Sequence, residues 1–77
     1  MTDVLFPRLS ERDPEGEGVV ATWFVDDGST VTVGQLVAEV AVDKVDAEVF
    51  APADGIISTT VGEGAAARQG APIATID

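Results

Sequence analysis

Apolar positions along the chain fall in short alternating runs separated by turn residues, the pattern of strands rather than helices. Residues 4–6 make a first short run, stopped by Pro7. Residues 8–18 are polar and acidic and are broken by Pro14, Gly16 and Gly18, which predicts a surface loop. Residues 19–25 are β-branched and aromatic and predict a strand; Asp26-Asp27-Gly28 follows as a turn, and residues 31–33 are a short strand closed by Gly34. In residues 36–42, alternation sends Leu36, Ala38, Val40 and Val42 to one face, and Val37, Glu39 and Ala41, with Asp43 beyond them, to the other. After Lys44 the alternation resumes, with Val45, Ala47 and Val49 opposite Asp46, Glu48 and Phe50. Two such runs meeting at Asp43-Lys44 predict a hairpin with that pair at its tip. Pro52, Asp54 and Gly55 mark the next turn, residues 56–61 and 73–76 are the last clear strands, and residues 62–70 read as a loop with a weak strand inside. The Ala65-Ala66-Ala67 run is too short and too close to glycines to nucleate a helix. The prediction is one all-β domain over residues 1–77.

The two halves of the chain also resemble each other. Gly18-Val19-Val20, Asp27-Gly28, Gly34, Leu36-Val37-Ala38 and Val40 are matched in order by Gly55-Ile56-Ile57, Glu63-Gly64, Gly70, Pro72-Ile73-Ala74 and Ile76. From Gly28 and Gly64 onward the halves register without a gap; before that, the first half is one residue longer. Each half has an acid before a glycine at a turn, a short crossover to a second glycine, and a closing apolar strand. Such a repeat predicts two similar β-units packed face to face, with glycines supplying positive φ at the corners. Within it, Ala67 stands at the position of Val31 and Gln69 at that of Val33, so looser packing of the second half is expected there.

Composition narrows what such a domain does. At 77 residues the chain is near the lower size limit for folding without staples, and 45% hydrophobic residues give it a core. It has neither cysteine nor histidine, which removes disulfides, thiolate chemistry, the usual general base and the commonest metal ligand. Fourteen acids against four bases give a net charge of -10, a surface that repels nucleic-acid phosphates and anionic lipid. Without an apolar run of spanning length or a signal peptide, the expectation is a bacterial cytoplasmic protein, a mitochondrial matrix domain being the other compartment consistent with the chain. No catalytic or metal-ligating set is assigned, since the acids sit at turns and outward-facing positions. Trp23, in mid-strand, is expected to be core.

Lys44 is the only lysine in the chain, with Asp43, Asp46, Glu39 and Glu48 around it. A self-activated catalytic lysine needs desolvation or a neighbouring cation, and this context offers neither. The residues leave two readings open: a solvated surface charge, or a lysine that another enzyme reads and modifies.

The run from Leu36 to Gly55 closely resembles the attachment segment of lipoyl domains, matching it at Glu39, Asp43, Lys44, Glu48, Val49, Pro52 and Gly55. Pro7, Leu9, Glu11, Glu17-Gly18, Trp23, Gly28, Gly34 and the glycines of the second half extend the resemblance over essentially the whole chain. The resemblance implies a flattened β-barrel or sandwich of two four-stranded antiparallel sheets with quasi-twofold symmetry, the barrel-sandwich hybrid. It further implies lipoic acid amide-linked to Lys44, placed there by a lipoate ligase or lipoyl transferase that reads Glu39, Asp43, Val45 and Glu48. The implied role is a swinging arm, carried on a domain expected to be monomeric, that serves the active sites of a 2-oxo acid dehydrogenase complex. Its partners there would be a thiamine-dependent dehydrogenase component, an acyltransferase and a flavin-dependent dihydrolipoamide dehydrogenase. The domain itself would be no enzyme, whether free-standing or the N-terminal part of a dihydrolipoamide acyltransferase; the chain ends just after the last strand, which suits either. The loop bearing Glu11, Asp13, Glu15 and Glu17 is two residues longer than the family's usual pattern, and the resemblance makes it the partner-recognition loop. Biotin carriers share the fold but flank their lysine with methionines, whereas Asp43 and Val45 stand here and the one methionine is Met1. A glycine-cleavage carrier needs a longer chain. An unmodified binding module and a carboxylate-based hydrolase or metal enzyme are the rivals from other classes.

Overall fold

A computed structural model describes residues 1–9 and 16–77. It contains eight strands: β1 (Thr2–Leu5), β2 (Glu17–Trp23), β3 (Thr30–Val31), β4 (Leu36–Val42), β5 (Val45–Phe50), β6 (Gly55–Thr59), β7 (Ala66–Arg68) and β8 (Pro72–Ile76). They form two four-stranded sheets in the orders β1-β8-β6-β3 and β5-β4-β2-β7, every pairing antiparallel. The sheets face each other as a sandwich and are not closed into a true barrel. The weak strand expected within residues 62–70 is β7. The strand expected over residues 31–33 shortens to β3, because Val33 already belongs to the turn before Gly34.

The repeat seen in the sequence is a symmetry of the molecule. Exchanging β1 with β5, β2 with β6, β3 with β7 and β4 with β8 turns one strand order into the other. Each sheet is therefore built half from the first repeat and half from the second. Backbone bonds repeat in the same way: Gly28 N donates to Ile57 O at 2.7 Å, and Gly64 N donates to Val20 O at 2.7 Å. The acid before each of those glycines reaches across to the other half. Asp27 Oδ1 accepts from Thr59 N at 2.9 Å, and Glu63 Oε1 accepts from Trp23 N at 3.0 Å. Gly28 and Gly64 hold φ of 86° and 82°, a left-handed conformation in which a side chain would be strained.

The one-residue mismatch between the halves has a location. β2 pairs Val20 with Val40 and then Thr22 with Glu39, so two steps on β2 meet one on β4, and Ala21 is the extra residue of a β-bulge. In the second half Ile57, Ser58 and Thr59 pair with Ile76, Thr75 and Ala74 without interruption.

A second bulge overturns the simple alternation expected for β4. Leu36 pairs with Phe50 and Ala38 with Val49, so Val37 is skipped. Val37 turns into the core at 0% exposure beside Ala38, whereas Leu36 lies on the outer face beside Phe50. Ile73 repeats this arrangement in the second half, skipped between the pairs Val4–Ala74 and Leu5–Pro72 and fully buried. Strict period-two reading fails at these two positions because a bulge puts consecutive side chains on one face.

Phe6, Val20, Val31, Val40, Ile57 and Ile73 are the centre of the core. Trp23 sits at the end of β2, packed against the core while its Nε1 donates to Val61 O at 2.9 Å. That bond satisfies the indole without burying an orphaned donor.

The reciprocal acids give a test of the symmetry. Asp27→Ala and Glu63→Ala should each lower unfolding stability by about 1 kcal/mol, with losses that add in the double variant. Urea midpoints unchanged in both single variants would contradict the cross-half bonds.

Candidate functional site

The β4–β5 hairpin is set by its register. Glu39 opposes Glu48, Val40 opposes Ala47, Ala41 opposes Asp46, and Val42 opposes Val45, leaving Asp43 and Lys44 as a two-residue turn. Val42 is buried and Val45 half-exposed, so this last pair is an apolar foot under the tip. Asp43 turns the chain with φ 56°, the one described non-glycine residue in the left-handed region. Aspartate tolerates that conformation better than most residues, and a two-residue hairpin turn requires it. Lys44 follows, exposed to solvent.

Around the lysine the outer face of the hairpin is acidic. Asp43, Asp46 and Glu48 are exposed and Glu39 is half-buried. Glu39 and Glu48 are direct cross-strand partners, a placement in which like charges weaken a sheet. The hairpin therefore carries a like-charge pair where a neutral or opposite one would be more stable.

The neighbouring strand closes in on the hairpin's base. A Cβ on Gly18 would lie 2.5 Å from Ala41 O, 2.5 Å from Phe6 Cζ and 2.6 Å from Val42 Cγ2, so only glycine lets β2 pass this near. Glu17 opens β2 just before it, exposed and paired in register with Arg68 of β7. Since Val19 pairs with Ala41, Glu17 lies level with the hairpin tip. Glu11, Asp13 and Glu15 lie outside the described residues.

Gln69 departs from the sequence expectation. Its repeat partner Val33 is 62% exposed, so Gln69 replaces a surface residue and not a core one, yet it is itself only 5% exposed. Its side chain is bonded at both ends: Oε1 accepts from Leu9 N at 2.7 Å, and Nε2 donates to Gly16 O at 3.1 Å. Looser packing is thus not what this substitution produces; Ala67, by contrast, does take the buried place of Val31. A polar residue at a repeat position held by valine in the first half was the signal in the sequence.

Among the described residues no group of three or more His, Cys, Asp or Glu side chains is placed to hold a metal ion. The site is a presented amine on an acidic, rigidly paired hairpin, at the end of a two-sheet sandwich of exchanged halves. A family model described as "Biotin-requiring enzyme", the biotin/lipoyl attachment family, matches residues 2–76. The solution structure of the lipoyl domain of the 2-oxoglutarate dehydrogenase complex from Azotobacter vinelandii superposes with a TM-score of 0.78 at 31% identity, covering 100% of this chain and 96% of that one. The chain is 38% identical over 76 residues to the dihydrolipoyllysine-residue acetyltransferase component of the pyruvate dehydrogenase complex of Corynebacterium glutamicum. It is 36% identical over 74 residues to the same component of Mycobacterium tuberculosis. These matches cover 97% and 95% of this chain but only 11% and 13% of those much longer relatives. The chain belongs to the biotin/lipoyl attachment family and is a lipoyl domain within it.

Two substitutions test how the hairpin is held. Gly18→Ala should destabilise the fold by about 2–3 kcal/mol, since the backbone carbonyl of Ala41 cannot move aside as a flexible side chain could. Asp43→Val should cost about 1–2 kcal/mol, and Asp43→Gly should be tolerated, because the penalty comes from a branched side chain at positive φ. Equal stability of the valine and glycine variants in thermal unfolding would contradict the turn geometry.

Proposed function

We propose that Lys44 carries lipoate in amide linkage and that the domain serves as a mobile carrier in a 2-oxo acid dehydrogenase complex. The observation that carries this reading is that the sole lysine of a lipoyl domain stands exposed at the tip of a two-residue turn. An amide-linked group needs only a reachable ε-amine with room around it, and Lys44 meets that need. In the attachment step, Lys44 Nζ gives up a proton to the modifying ligase or transferase and attacks the carbonyl of lipoate activated as an acyl adenylate. The C–N bond forms and AMP leaves. When bound, lipoate supplies a dithiolane able to take up an acyl group and reducing equivalents, chemistry this chain lacks of its own.

The chain's residues present and identify the amine. Asp43 sets the turn, the Val42–Val45 pair keeps it from unravelling, and Glu39, Asp43, Val45 and Glu48 form the surface the modifying enzyme reads. The like-charge pair Glu39–Glu48 supports this, since it weakens the hairpin and its acidic face suits a basic partner surface. Partners after modification would be the thiamine-dependent dehydrogenase, the acyltransferase and the flavin-dependent dihydrolipoamide dehydrogenase. The acetyltransferase relatives favour a pyruvate dehydrogenase complex. Asp43 and Val45 beside the lysine, in place of methionines, favour lipoate over biotin.

Co-expression with a lipoate ligase and lipoate should raise the intact mass by one lipoyl group, and Lys44→Arg should abolish the increase while leaving the circular dichroism spectrum unchanged. A mass that shifts only with biotin and a biotin ligase would overturn the proposal. Glu48→Arg should stabilise the hairpin by about 0.5 kcal/mol while slowing lipoylation. Faster or equal lipoylation of that variant would remove Glu48 from the recognition surface.

A further inference from the structure

The two halves of the molecule are linked covalently only through the Asp43-Lys44 turn. β1 to β4 make one half and β5 to β8 the other. Four of the six strand pairings join them: β1 with β8, β2 with β7, β3 with β6 and β4 with β5. A second copy of the chain can supply all four if the turn opens. That turn is also strained. φ is positive at its first residue and not at its second, the form of hairpin turn that favours glycine first, and Asp43 stands there with φ 56°. Short connections under strain are where identical chains exchange elements.

The hairpin register determines what an opened turn would meet. Glu39 with Glu48, Val40 with Ala47, Ala41 with Asp46 and Val42 with Val45 keep one register up to the turn. Two copies of residues 39–48 paired antiparallel in that register place Asp43 of each copy opposite Lys44 of the other. The ladder then closes over both turn residues, and two cross-strand pairs of opposite charge form, an arrangement that stabilises a sheet. The net charge of -10 on each copy opposes association, but salt screens that long-range repulsion more than it screens charges in contact. We propose that a second copy of this chain is a partner: two copies exchange halves about Asp43-Lys44 into a dimer of two complete sandwiches, in which Lys44 leaves the turn and lies within a continuous strand. The dimer thereby withholds the turn that presents the amine, and the monomer is the form open to modification. That consequence rests on the carrier function proposed above; the exchange itself does not.

Because the halves interlock, exchange requires the chain to unfold. The unmodified domain, unfolded in urea and refolded at high concentration and raised ionic strength, should yield a fraction of doubled mass in size exclusion with light scattering. In a dimer refolded from mixed isotope-labelled and unlabelled chains, isotope-filtered spectra should show the Val4–Ala74 contact passing between chains. The Val20–Val40 contact, internal to one half, should stay within a chain. Each dimer opens two turns, so the strain at Asp43 counts twice. Asp43→Gly should therefore weaken the dimer at least about tenfold, and Asp43→Val should strengthen it at least about tenfold. Refolding to monomer alone, a Val4–Ala74 contact confined to one chain, or equal dimer strength in the glycine and valine variants would overturn the proposal. Offered to a lipoate ligase, the isolated monomer should be modified and the isolated dimer should stay unmodified. Equal rates would overturn the withdrawal of Lys44, and failure of both forms to be modified would count against the carrier function alone.

Discussion

The structure depends on the exchange of strands between its two halves. Each sheet takes two strands from the first repeat and two from the second, so neither half can complete a sheet or cover a core alone. The acids at the matching turns tighten that exchange, because Asp27 and Glu63 each bind a backbone amide of the opposite half. For a chain of 77 residues without disulfides or cysteine this matters. A domain so small has little apolar surface to bury, and interlocking halves place most of its pairings between residues distant in sequence. Lys44 sits on the crossing between the halves, on a hairpin whose strands belong one to each repeat.

That location explains how a paired hairpin presents an exposed lysine. The hairpin is anchored by β2, which Gly18 brings against Ala41 and Val42, and by the apolar pair at its foot. Only the two turn residues are free of the ladder. The ladder thereby holds the backbone on either side of the turn, and the lysine side chain projects from it. Tethering of this kind raises the effective concentration of an attached group at neighbouring active sites without any new contact.

Much of this was legible in the sequence. The bounds of β4 and β5 follow from alternation, and the turn at Asp43-Lys44 follows from where the alternation breaks. The matched glycines foretold the symmetry, while the one-residue offset between the halves was not read as a bulge and only the ladder shows it to be one, at Ala21. Alternation misled at Val37 and Leu36, because a bulge is invisible to period-two counting. Gln69 misled for a different reason. Whether a polar residue at a repeat position is a packing defect or a clamp depends on what lies across from it, and Leu9 and Gly16 are distant in sequence.

The central claim is that Lys44 is the attachment point. As the chain's only lysine it is the only tryptic site between Arg12 and Arg68, and trypsin does not cut after an amide-modified lysine. Tryptic mapping by mass spectrometry of the protein isolated from its own cells is therefore the most direct measurement. The prediction is an uncleaved peptide of residues 13–68 bearing one lipoyl group on Lys44. Complete cleavage after an unmodified Lys44, or a biotinyl group on it, would contradict the account.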